Sequence, residues 1–272
     1  MPSLDEISYS RDLTVATALE YYDFLTKMYL KESDVIEPPE GGWPNLSTNL
    51  RSLGKTDEVV SLLCHLPYIR RHPDDRDEAQ GAAECYFADW QQLGHQLASG
   101  QVTGETLRVV TEGASIYEDV PPYVVSLTAG GRNNPVFLLD TKFGVAHWYE
   151  APGEVRYEPS REPIEDDPYD YAPEKEAEWR ADGQYWAIPD FFEMLKDQFR
   201  DLKFIPISSQ RVIDMYTMRG SDADGMIPML QNIYREHGWP DLERYHKREC
   251  LEAVHAALEE RYPDYADRRD DE

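Results

Sequence analysis

Apolar residues recur at intervals of three and four along 13–30, at Leu13, Ala16, Leu19, Tyr22, Phe24, Leu25 and Met28. Side chains at those intervals share one face of a helix, so the pattern predicts an amphipathic helix with Asp12 as its N-cap. A short helix is predicted over 56–64, where Thr56 can cap and Asp57 and Glu58 complement the dipole of the first turn. Between these two, residues 36–47 (IEPPEGGWPNLS) carry prolines and glycines that exclude regular helix, and Trp43 is their large apolar group. Around 85–90 the pattern fits a strand or a helix equally well.

From 120 to 157 the period changes to that of strands. Residues 123–127, 136–140 and 145–150 are strand candidates, separated by the turn clusters Gly130-Gly131-Arg132-Asn133-Asn134 and Thr141-Lys142-Phe143-Gly144. Turns this short imply an antiparallel meander, a sheet that usually covers one face with helices. Helical spacing returns from Trp186 to about 202, with Ile188, Phe191, Phe192, Leu195 and Phe199 as the buried stripe. Beyond 212 the composition shifts. Met215, Met218, Met226 and Met229 cluster, and helices are predicted over 226–237 and 242–261 around a break at Gly238-Trp239-Pro240, with Leu251, Val254, Leu258 and Tyr262 as the last stripe.

These elements predict an α+β fold: an antiparallel sheet flanked by helices, with a C-terminal helical extension. The expected organisation is a flexible 1–11, an α+β domain over 12–212 with an acidic Pro- and Tyr-rich insertion at 150–182, helices over 213–263 and a charged tail at 264–272. The insertion holds twelve acidic residues against four basic ones, with five prolines. Its aromatics, Tyr157, Tyr169, Tyr171 and Trp179, can dock on a partner or on the domain's own sheet, and docking on the sheet is the favoured reading.

Charge narrows the function. The 272 residues carry 53 acidic and 27 basic side chains, a net of −26. Phosphate backbones and anionic lipid repel such a surface, so nucleic-acid and membrane binding are disfavoured, and a basic protein is the natural partner. Three cysteines without CxxC spacing suit a reducing compartment, and neither a signal peptide nor a run of 18 apolar residues is present, so a cytoplasmic location is expected.

No assembled chemistry stands out. There is no GxSxG, no HExxH, no GxxxxGK[ST] and no GxGxxG after a strand, so no cofactor and no metal is expected. Adjacent Cys64 and His65 point apart on a helix, and His246 and Cys250, four apart, align only two ligands. Asp222-Ala223-Asp224-Gly225 imitates half a calcium loop and reads as a turn.

The strand Val136-Phe137-Leu138-Leu139-Asp140, the turn and strand Thr141-Lys142-Phe143-Gly144-Val145, and the segment Trp186-Ala187-Ile188-Pro189-Asp190-Phe191-Phe192-Glu193-Met194-Leu195 resemble the SUKH superfamily of fungal cell-wall-synthesis regulators and bacterial immunity proteins. The resemblance implies an antiparallel α+β domain that binds protein without catalysis. The expected role is therefore a non-enzymatic adaptor or inhibitor of a basic partner. Its docking surface is expected at Tyr157, Glu165, Asp166, Asp167, Tyr169 and Tyr171, beside Trp43 and Trp148, where rings anchor and carboxylates steer. The alternative is a carboxylate-dependent hydrolase acting on a sugar-like or small polar substrate, which needs two carboxylates in a cleft.

Overall fold

Ser10, not Asp12, caps the first helix. The computed structural model describes residues 2–70, 78–217 and 225–266. In it the Ser10 side chain accepts from the Leu13 amide, and α1 runs Arg11–Met28. Its buried face is Thr14, Ala18, Tyr21, Tyr22, Phe24, Leu25 and Met28. Leu13 is 52% exposed, so the buried stripe is rotated from the one the leucines suggest. The tyrosines account for the rotation: they bury more area than leucine provided the hydroxyl finds an acceptor, and Tyr21 donates to the Gly81 carbonyl at 2.6 Å.

After β1 (Val35–Ile36) and the short α2 (Leu46–Asn49) comes α3 (Asp57–His65), capped by Thr56 as expected, and β2 (Tyr68–Ile69) pairs back to β1. Of the stretch left open between strand and helix, Cys85 and Phe87 make isolated β-bridges to Ala82 and Thr128, and Asp89 then caps α4 (Trp90–Ala98). The next helix, α5 (Gly104–Glu112), lies in a stretch with no predicted element, although Thr103 caps it in the usual way.

The meander forms as the alternation predicts. Strands β3 (Val124–Ser126), β4 (Val136–Asp140) and β5 (Val145–Tyr149) pair antiparallel. The β4–β5 turn needs glycine, because Gly144 sits at φ 73° and a Cβ there would meet the Tyr9 backbone nitrogen at 2.8 Å. A fourth strand, β6 (Gly183–Ala187), pairs with β5. Trp186 and Ala187, expected to open a helix, therefore belong to a strand. The helix α9 (Ile188–Arg200) begins one residue later, with Pro189 in its first turn where no amide bond is lost.

Both faces of the sheet are covered, rather than one. Phe137, Leu139, Ala146, Trp148 and Trp186 face the main core with α9 and α1. The opposite face presents Val124, Leu138, Val145, His147 and Tyr185. The acidic insertion folds into α6 (Gly153–Tyr157), α7 (Pro168–Tyr171) and α8 (Glu174–Ala181); α6 packs Val155 into the main core, while Ile164 and Trp179, with Ile116, Val120 and the N-terminal Leu4 and Ile7, cover this opposite face.

A ribbon of β7 (Phe204–Pro206) and β8 (Val212–Asp214) precedes α10 (Met226–Glu236) and α11 (Lys247–Arg261). The last helix starts five residues later than its apolar pattern suggests, and Leu242 is exposed. Cys250 is buried alongside Val254 and Leu258, while Leu251 and Tyr262 are only partly covered. These helices join the main core: Trp239 Nε1 donates to the Phe199 carbonyl and Tyr245 Oη to that of Met28. Met218, the Asp222-Ala223-Asp224 motif and residues 71–77 of the charged run lie outside the described residues.

Candidate functional site

Two places gather the residue types that carry function. The first is a cluster of ionisable groups between the sheet and α8. Arg180, from the insertion, donates through Nη2 to Asp140 Oδ2 at 2.5 Å and to Glu176 Oε1 at 2.6 Å. Its Nη1 lies 2.9 Å from His147 Nε2. An arginine can only donate, so Nε2 accepts and the neutral His147 carries its proton on Nδ1. Tyr123 completes the group by donating to Glu176 Oε1 at 2.7 Å. Asp140 also accepts from the Lys142 and Phe143 amides through Oδ1, so one carboxylate holds both the guanidinium and the β4–β5 turn. The guanidinium lies over Trp179, Phe143 and Tyr171, and the His147 ring stacks on Tyr185 at 4.6 Å.

Burial pushes the Asp140 carboxyl upward, against Arg180 and the two amides. Burial, with Arg180 adding to it, holds His147 well below the usual histidine range. On composition alone this resembles a catalytic constellation. Yet the Arg180 and Asp140 side chains have no solvent exposure and so cannot meet a substrate. The arrangement is a clamp that binds the insertion to the sheet.

The second place is an open groove of about 1370 Å³ at the β3–β4 end of the sheet. Val136, Trp148 and Phe204 lie along its apolar part, the 130–134 turn and α5 flank it, and Glu84, Glu150, Asp214 and Arg132 are its charged residues. The raised carboxyl of Asp140 lies in the clamp and not among them. Sequence reasoning missed most of this groove. Its walls come from six separate stretches, and the α5 wall was not predicted. The Thr103-Gly104-Glu105 cap was the available signal.

The expected docking residues are dispersed. Tyr157 and Tyr169 are 82% and 56% exposed, and Glu165 and Asp167 are exposed too, Asp167 capping α7. Asp166 is half-buried and accepts from Ser3 Oγ and the Leu4 amide, so the N-terminal segment expected to be flexible is docked. Tyr171 packs edge-on against Phe143 at 5.1 Å and belongs to the clamp. Trp148 is 4% exposed and packs on Phe137, so its ring offers a partner almost no surface. Trp43 stacks on Tyr68 and donates to the Leu66 carbonyl, plugging the loop between α1 and α3 well apart in sequence from the insertion.

Cys64, Cys85 and Cys250 are free and buried. Among the described residues no group of three or more His, Cys, Asp or Glu is placed to hold a metal, and no helix is long and apolar enough to cross a membrane. No family model matches the chain, and neither a curated protein nor a solved structure is significantly similar to it.

Proposed function

We propose that the protein is a non-enzymatic, acidic binding protein of the kind the SUKH resemblance implies, and that it captures a basic protein partner through its insertion. One observation carries the reading. A strongly acidic segment is clamped to the sheet by a buried arginine, yet leaves Tyr157 and Tyr169 standing in solvent. Large rings exposed on a rigid support lose little entropy on binding. Exposed carboxylates at Glu158, Glu165 and Asp167 add long-range attraction for a cationic surface.

The test is capture from native extract by the intact protein and by a Tyr157→Ala/Tyr169→Ala/Glu165→Gln variant. The wild type should retain one basic protein at low salt and release it as the ionic strength rises. Two anchors of this kind are worth on the order of 2 kcal/mol each, so the variant should lose the partner while its thermal midpoint stays put. Equal recovery by both proteins would reject the insertion as the docking surface.

A further inference from the structure

The groove at the β3–β4 end of the sheet is a second acidic surface, and it differs in kind from the insertion because it is concave. We infer that it receives an extended segment of a protein partner in which apolar side chains alternate with lysine or arginine. The inference rests on the binding role proposed above and names chemistry that role leaves open.

Three observations fix the occupant. First, the groove pairs accessible apolar groups, Val109, Val110, Pro135 and Val136, with three carboxylates, Glu84, Glu150 and Asp214, against the single guanidinium of Arg132. Such a surface attracts cations and repels phosphate or a carboxylate-rich ligand. Second, the segment cannot enter as a fifth strand. The β3 side of the sheet is closed by the Phe87–Thr128 bridge and the Ala88 amide on the Leu127 carbonyl, and the β6 side by the Ile164 amide on the Tyr185 carbonyl. Recognition must therefore run through side chains, and successive side chains of an extended chain point to opposite sides. One set can meet the apolar part while the other reaches the carboxylates. Third, Glu84 and Glu150 hold left-handed backbone, at φ 49° and 53°. Glycine or asparagine would adopt that conformation with less strain, so each carboxylate is presented against a local conformational cost.

Val110 marks the surface for testing, because it is 43% exposed on the α5 wall and can be changed without touching the core. The probes are fluorescent octapeptides added to the intact protein at low salt: alternating Lys and Leu, alternating Glu and Leu, and octalysine. The Lys/Leu peptide should bind, the Glu/Leu peptide should not, and octalysine should bind at least about tenfold more weakly for want of apolar groups. Glu84→Gln/Glu150→Gln and Val110→Arg should each weaken the Lys/Leu peptide by about tenfold or more with an unchanged thermal midpoint.

Three results overturn the inference. If groove variants bind the peptide like wild type while the Tyr157/Tyr169/Glu165 variant loses it, the insertion alone is the acidic docking surface and the broader role survives. If no cationic peptide binds, the groove assignment falls by itself, and capture from extract judges the broader role separately. If sedimentation shows a dimer that Val110→Arg dissolves, the occupant is a second copy of this chain.

Discussion

The clamp and the groove use the same residue types and come to opposite ends. In the clamp, Asp140, His147, Glu176 and Arg180 meet with almost no exposure and are joined through the Arg180 guanidinium, while His147 Nδ1 is buried without a hydrogen-bond partner among the described residues. In the groove, Glu84 and Glu150 stand in solvent. Solvent decides which role a carboxylate takes. A buried charge must be paired within the fold, which makes it structural, while an exposed one keeps its field available to a partner. Perturbed titration alone would have pointed to the clamp as the reactive site, and the complete burial of Arg180 and Asp140 argues against that reading.

The largest break in this comparison comes from deleting 158–178. As part of an insertion lying on the surface, 158–178 is expected to be removable with the thermal transition nearly unchanged, although the favoured reading docks its aromatics on the sheet. The structure contradicts this, because the deletion removes Ile164 and Glu176, uncovers Val145 and Tyr185, and strips Arg180 of a partner. The shortened chain should lose its cooperative transition by circular dichroism near the native midpoint.

Arg180→Ala is the finer cut. It leaves Asp140 buried without its cation, which costs roughly 3–5 kcal/mol in urea unfolding. Combining it with Asp140→Leu should recover part of that loss, because the uncompensated charge is then gone. Equal unfolding midpoints for the single and double variants would show that the pairing is not what Arg180 contributes.

The smallest effect is on pH. His147 is held neutral by burial and then by Arg180, so its folded value lies below its unfolded one. Below about pH 6.5 the unfolded chain takes up a proton that the folded state refuses. Stability therefore falls on acidification, by up to about 1.4 kcal/mol per pH unit from this group. Asp140, pushed upward by burial, acts in the other direction and recovers some stability as it protonates. Urea midpoints at pH 7 and pH 5 should separate the two, and His147→Gln should show the shallower acid loss.

Much of the fold was legible in the residue pattern. Strands β4 and β5, the glycine turn between them, the Thr56 cap and the α9 stripe all follow from periods of two and of three to four and from local capping chemistry. Local rules also failed where a competing neighbour won: Ser10 took the cap from Asp12, and pairing with β5 drew Trp186 and Ala187 into a strand.

What the chain determined by itself, then, is local geometry and overall charge, because backbone preference, side-chain period and ionisation act over a few residues or over the whole sum. Tertiary structure alone decided which acidic residues became structural. Arg180 reaches Asp140 across 40 positions and His147 across 33, and six separate stretches converge on the groove. Contacts at that range leave no period in the sequence, and burial, which sets both charge pairing and availability, exists only once the layers have packed.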